Sequence, residues 1–183
     1  MFIQGHFITL RALEPSDVSL LYQWENDPAI WKLSQTVKPY SEYTLQMFVD
    51  CSSDDLNTIR QVRMMVDLAD SKIIGRAKTI GIIDIFDYDP FHQRAGIGIL
   101  IHADYRGKGH AKEALELAKN YLFDTLLLHQ IYCNIQEENQ VSLSLFTHSG
   151  FNIVGIQKDW LRTKEGFKNV YLLQCINQNH EIK

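Results

Sequence analysis

The feature that most constrains this chain is a run in which a buried strand, two glycines and a helical pattern follow one another without a break. Ala95-Gly96-Ile97-Gly98-Ile99-Leu100-Ile101 is a short apolar stretch that reads as a buried strand. Arg106-Gly107-Lys108-Gly109-His110-Ala111 comes just after it. Ala111, Ala114, Leu115, Ala118, Tyr121, Leu122 and Thr125 then recur at helical spacing, with Lys108, Lys112, Glu113, Glu116 and Lys119 on the other side. The first N–H groups of a helix have no internal partner, and the macrodipole adds partial positive charge there. Glycines let a ligand's oxygens come close to that backbone, so the pattern predicts a pyrophosphate cradle. A glycine-rich turn without a ligand is the plain alternative.

The kind of pyrophosphate can be narrowed. A nucleoside-triphosphate loop needs Gly-Lys followed by Ser or Thr, and here Gly107-Lys108 is followed by Gly109. A dinucleotide fold needs Gly-x-Gly-x-x-Gly, but position 112 is lysine, and that motif belongs near the start of a βαβ unit. Neither fits. A chain of 183 residues suits one domain with a full core, read here as residues 1–178 with a frayed tail at 179–183. Cys51, Cys133 and Cys175 are odd in number and form no Cys-x-x-Cys, which predicts unpaired, buried thiols in a reducing compartment. Met1-Phe2-Ile3-Gln4-Gly5-His6 has no basic leader or long apolar stretch, and no window approaches the roughly 18 apolar residues of a membrane span. A cytoplasmic protein without membrane contact is expected. The net charge of −4 offers no general attraction to nucleic acid.

Along the chain, Phe7–Arg11 alternates like a strand, and Pro15 opens a helix carrying Val18, Leu21, Tyr22 and Trp24 that gives way around Asn26-Asp27-Pro28. A second helix is predicted from Glu42 to about Val49, and strands over Arg60–Leu68 and Ile80–Phe86. The segment through Asp70, Gly75 and Lys78 shows no clear pattern. Asp89-Pro90 marks a turn before the strand ending at Ile101. The long helix is followed by a strand over Gln130–Ile135, a short helix from Val141, a strand from Phe151 and a last strand near Val170–Ile176. This order predicts an α/β (α+β) fold: a mixed, mostly antiparallel twisted sheet of about seven strands with helices on both faces.

Arg106-x-x-Gly109-x-Ala111 resembles the acetyl-CoA signature Gln/Arg-x-x-Gly-x-Gly/Ala of the GNAT superfamily of N-acetyltransferases. The likeness covers nearly the whole chain and is nearest the branch of ribosomal-protein N-terminal and polyamine acetyltransferases. "ITLRALEPSDVSLLYQWENDP" resembles that branch's opening strand and helix, and "GIGILIHADYRGKGHAKEAL" its fourth strand and CoA loop. "LHQIYCNIQEENQVSLSLFTHSGF" resembles its fifth strand and following helix, and "GFKNVYLLQ" its closing strand, with Asn169 where relatives often have Asp. The resemblance implies an acetyl-CoA-dependent acyltransferase. Ile99, Leu100 and Ile101 would splay from the neighbouring strand and offer backbone groups to the pantetheine arm and thioester carbonyl. Arg106, Gly107, Lys108, Gly109, His110 and Ala111 would hold the pyrophosphate, and Asn139 would meet the cofactor's arm. Asn139 is also a good N-cap for the next helix, and Lys108 could equally be a solvated first-turn lysine.

Acyl transfer to an amine needs a neutral amine, a polarised carbonyl and a leaving thiolate. Backbone N–H groups can polarise the carbonyl. Two side-chain roles depart from the family: Phe146 stands where many relatives carry a tyrosine as general acid beside the cofactor, and Gly96 where polyamine relatives often carry glutamate. A thiol with a pKa near ~8.5 leaves tolerably without that acid, at a loss of about 10²-fold. A lysine-like amine is neutral in only about one molecule in two thousand at pH 7, an α-amine in roughly 10–15%. Asp84 is the candidate replacement base. It interrupts the row Ile80, Ile82, Phe86 on one strand face, where burial would raise its pKa; a solvated sheet end, or pairing with Arg11 or Arg94, is the structural alternative. Tyr132 and His92 are weaker candidates, and Cys133 reads as packing. Trp24, Tyr40, Tyr43 and Phe48 could line a substrate groove or belong to the core. Trp160 to Phe167 is the other segment expected to bear on specificity, and no metal is expected, since zinc spacing is absent. The acceptor would be a protein or peptide N-terminus, a polyamine or a small amino metabolite. A catalytically weak CoA-binding sensor is the alternative, and a homodimer through sheet edges is compatible with the sequence.

Overall fold

Two different apolar faces on the same strands force helices onto both sides of the sheet. The computed structural model describes residues 2–34, 37–69 and 78–178. The strands are β1 (Phe2–Gln4), β2 (Ile8–Ala12), β3 (Val62–Leu68), β4 (Thr79–Asp89), β5 (Arg94–Ile101), β6 (Gln130–Gln136), β7 (Asn152–Thr163) and β8 (Gly166–Ile176). They lie in the order β1-β2-β3-β4-β5-β6-β8-β7, and every pair is antiparallel except β5 with β6. The helices are α1 (Val18–Glu25), α2 (Pro28–Ser34), α3 (Glu42–Cys51), α4 (Leu56–Ile59), α5 (His110–Asn120) and α6 (Gln140–His148), and α5 runs on into a π-turn at Tyr121–Thr125.

One face of the sheet presents Leu10, Val66, Ile83, Ile97 and Ile131 to Ala114, Leu115 and Ala118 of α5 and to Leu143 and Phe146 of α6. The other presents Met65, Ile82 and Leu100 to Leu21 and Trp24 of α1 and to Leu45 and Val49 of α3. Methionine 64 and 65 show the alternation at its sharpest: neighbours in sequence, they enter opposite cores.

The expected class is observed, with eight strands in place of about seven. The added strand, β1, pairs Phe2 with Arg11, but three residues are too few for alternation to be visible. Asp27-Pro28 starts α2 as well as ending α1: Asp27 Oδ1 accepts the N–H of Ala29 at 2.8 Å, and proline occupies the first helical position. Asp70, Gly75 and the tail at 179–183 lie outside the described residues. Arg11 ties the first elements together, donating to Asp17 at 2.7 and 2.8 Å and to Asp67 at 2.7 Å, with both carboxylates buried. Among the described residues no helix is long and apolar enough to cross a membrane.

Candidate active site

The parallel pair β5–β6 lasts only three residues, from Arg94↔Gln130 to Gly96↔Tyr132. Beyond Gly96, β5 keeps its ladder with β4 while β6 keeps its own with β8, so a gap opens between them. His102 N donates to Ile80 O at 2.8 Å, which fixes the phase of the β5 ladder. Backbone groups of Gly98 and Leu100 turn toward β4, and those of Ile97, Ile99 and Ile101 turn toward the gap. Leu100 is therefore a correction. Its backbone belongs to the β4 ladder and its side chain packs on the α1/α3 core, so of the three residues expected to offer backbone groups only Ile99 and Ile101 face the gap.

At the end of β5 a turn of 3-10 helix, Ala103–Tyr105, leads into the glycine loop. Arg106 Nε donates to Ile101 O at 2.8 Å, so this arginine braces the strand end as well as presenting its terminal nitrogens. Gly107 and Gly109 adopt φ of +73° and +86°, where L side chains are strained, and a Cβ on either would meet nothing within 4 Å. Gly109 is the N-cap of α5 and carries no side-chain cap, so the N–H groups of the first turn face outward. The first intrahelical bond runs from Glu113 N to Gly109 O at 3.1 Å. The Glu113 carboxylate in turn accepts the N–H groups of His6 and Phe7, fastening the helix start to the β1–β2 turn. Lys108 Nζ donates to Asp104 O at 2.8 Å and lies over the Tyr105 ring, as does Lys78 from the start of β4. His110 turns its ring edge toward Phe7, with Nδ1 enclosed and without a hydrogen-bond partner, and Ala111 packs on the core. An open, uncapped, left-handed loop at a helix start fits a pyrophosphate, and the backbone of Ile99 with the N–H of Ile101, whose carbonyl Arg106 engages, fits an extended amide-bearing arm.

Asn139 caps α6, its Oδ1 accepting the N–H of Ser142 at 3.1 Å, which leaves the amide nitrogen as the group it can offer a ligand. Phe146 is buried and meets Phe151 edge-on with ring centroids 5.0 Å apart, so as a cofactor contact it offers only ring carbon from the core.

Across the sheet lies the second half of the site, where Asp84 is directly opposite Gly98. Its carboxylate is held by Arg63 through Nε at 2.7 Å and Nη2 at 3.1 Å, while Nη1 of the same guanidinium donates to Glu25 of α1 at 2.5 Å. The expectation of a buried carboxyl is thereby corrected: the Asp84 side chain is 41% exposed and ion-paired, and the partner is Arg63, neither Arg11 nor Arg94. Burial opposes the charge on Arg63, yet Asp84 and Glu25 outweigh it and hold that guanidinium above its ordinary pKa. Phe48 covers the guanidinium, 5.1 Å from its ring centroid. Phe86 sits opposite Gly96, so close that a Cβ there would lie 2.2 Å from the ring. Over Gly98, by contrast, a Cβ would meet only Asp84 Cβ and Phe86 Cε1, both at 4.0 Å. The floor beside the gap is thus open over Gly98 and roofed by aromatic carbon over Gly96.

The remaining candidates separate cleanly. Tyr132 Oη donates to Asp87 at 2.9 Å, and burial followed by that contact pushes its phenol up to about 12, so it is a neutral donor near pH 7. His92 bonds Asp89 at the exposed β4–β5 turn. Burial pushes the Cys133 thiol up, which suits packing, and Cys175 is buried too, but Cys51 is a correction: at the end of α3 it is exposed. Trp24 belongs to the core and stacks on His102, Tyr40 packs against the same core, and Tyr43 and Trp160 are exposed. Arg63 was missed by sequence reading. Its signal lies in the register Arg63↔Asp84, which alternation within either strand does not contain.

These features define a GNAT acetyltransferase, and residues 8–152 match the family described as the acetyltransferase (GNAT) domain, to which the chain belongs. It is an acetyl-CoA-dependent N-acetyltransferase. The chain is 26% identical over 154 residues to spermidine N(1)-acetyltransferase of Escherichia coli strain K12, spanning 82% of this chain and 76% of that one. It is 25% identical over 170 residues to the enzyme of the same name from Vibrio cholerae serotype O1, spanning 91% and 93%. In fold it is similar to spermidine N-acetyltransferase from Vibrio cholerae in complex with CoA and spermine, at a TM-score of 0.84, 22% identity and coverage of 96% and 99%. A GNAT acetyltransferase from Bacillus anthracis superposes at 0.76 with 22% identity, covering 96% and 98%.

Proposed function

We propose that this enzyme transfers the acetyl group of acetyl-CoA directly to the primary amine of a small molecule. The observation that carries the reading is the continuity of two half-sites: the open backbone edge and glycine cradle on one side of β5, and the slot over Gly98 beside Asp84 on the other. Acetyl-CoA supplies an activated acyl carbon. The chain supplies position and electrostatics. The N–H groups of the first turn of α5 hold pyrophosphate, and the backbone of Ile99 and Ile101 holds the arm and polarises the carbonyl. Asp84, kept in place by Arg63, orients the ammonium form of the acceptor; the amine loses its proton to solvent before attack, and the thiolate leaves without a tyrosine donor.

Relatives named for spermidine make that amine the first acceptor to test. Thiol release from acetyl-CoA is measured against spermidine, peptides with free N-termini, and amino acids. Release with a small amine supports the reading; tight CoA binding without release on any amine overturns it. A sensor without turnover is the second reading, favoured by Phe146 and Gly96, which lack the hydroxyl and carboxylate of active relatives.

A further inference from the structure

We infer that the acceptor slot selects a primary amine with one ammonium on an apolar, aromatic-sized body, and disfavours polyamines. The inference rests on the proposed acetyl transfer and concerns which amine that same site takes.

Charge is the first argument. The carboxylates of Glu25, Asp84, Asp87 and Asp89 are already engaged by the chain: Glu25 and Asp84 share Arg63, Asp87 accepts from Tyr132, and Asp89 pairs with Arg94 and His92. Arg60 and Arg94 also line the cavity of about 550 Å³ that contains Asp87 and Asp89. Four carboxylates thus face three guanidiniums, which leaves about one negative charge to answer a ligand. One ammonium is matched at Asp84; the further charges of a polyamine enter a region where two arginines already balance two carboxylates.

Shape is the second argument, and it is independent of the first. The position over Gly96 is filled by the Phe86 ring, which meets Tyr132 edge-on with centroids 5.9 Å apart. Asp84 and Arg63 also line a cavity of about 240 Å³ whose apolar walls are Phe48, Val62, Ile85 and Phe86. An amine resting over Gly98 with its ammonium at Asp84 therefore has aromatic carbon on the sides its body would occupy. A second or third ammonium against those rings meets only a ring face, a cation–π contact weaker than a carboxylate partner.

The test compares kcat/KM for phenethylamine and spermidine on the wild-type enzyme by thiol release. Phenethylamine is expected to lead by ~10-fold or more, the scale on which apolar pockets discriminate. Phe86→Leu should shrink that lead, and Phe86→Ala with Gly96→Glu should move the preference toward spermidine. Equal or better use of spermidine by the wild type overturns the inference alone and leaves the acetyltransferase reading intact. No turnover of either amine overturns the inference, and binding of acetyl-CoA with no turnover of any amine in the panel overturns the acetyltransferase reading as well.

Discussion

The cradle can be tested by a single methyl group. Gly109→Ala places a Cβ on a residue with φ of +86°, where an L side chain costs about 1–2 kcal/mol. For a domain of 183 residues that lowers Tm by roughly 2–8 °C. Nothing in the protein lies within 4 Å of that methyl, so its steric effect falls on whatever occupies the loop. Displacing one charge-assisted N–H contact to phosphate costs about 1.5–3 kcal/mol, which is roughly a 10- to 150-fold rise in the Kd for CoA. The backbone part is removed by a matched control. Gly150→Ala has a similar φ of +90°, and its Cβ would meet Cys175 Sγ at an ordinary 3.9 Å, away from the loop. Melting and calorimetric CoA titration of both variants should show similar losses of Tm and a rise in Kd for Gly109→Ala alone. Equal CoA affinity in the two variants would refute the cradle.

Phe146→Tyr supplies the hydroxyl that the family resemblance implies at this place and should raise kcat by up to ~10²-fold while adding an alkaline limb to its pH profile; an unchanged kcat in a folded variant would show that the hydroxyl does not reach the thiol. Asp84→Asn should raise KM for the amine and leave the rise of kcat/KM with pH in place, because an ion-paired anchor is not the proton acceptor; loss of that rise would make Asp84 the base. Arg11→Ala leaves Asp17 and Asp67 buried without a cation and should cost about 3–5 kcal/mol, or roughly 6–20 °C in Tm. Tyr132 has a folded-state pKa of about 12, raised above the ordinary ~10, so its contribution to stability is complete below pH 10 and lost as pH rises through 12. Tyr132→Phe should therefore remove one phenolate transition near pH 12 in an ultraviolet titration and flatten the alkaline fall in stability.

The cofactor half of the site was legible because it is made of backbone. Gly107 and Gly109 announce a left-handed turn, the apolar run before them announces a strand, and the helical spacing after them announces where uncapped N–H groups must lie. All of these are local in sequence. The error at Leu100 has the same origin: that three residues sit beside a gap is local, but which of them face it depends on the phase of the ladder with β4. Asp27-Pro28 was read as a stop because proline ends helices, although aspartate before proline is also a helix start; α2 uses the second sense.

The acceptor half was not legible because it is made of cross-strand pairs. Gly96 and Gly98 are two residues apart on one strand and point to the same face, so local pattern treats them alike. Their partners make them opposites. Phe86 covers Gly96 and fills the space over it, while Asp84 stands back from Gly98 and leaves it open. Arg63, a further strand away, then decides that Asp84 is a fixed charge and not a buried acid. The proposed acceptor slot thus depends on three residues, 63, 84 and 86, whose meaning comes from register. A change at position 96 alone should accordingly fail to install polyamine specificity: Gly96→Glu drives its Cβ into the Phe86 ring at 2.2 Å and should unfold or distort the sheet before it gains an acceptor. A stable Gly96→Glu enzyme with the wild-type melting temperature would show that Phe86 yields freely, and that the aromatic roof is not what fixes the slot.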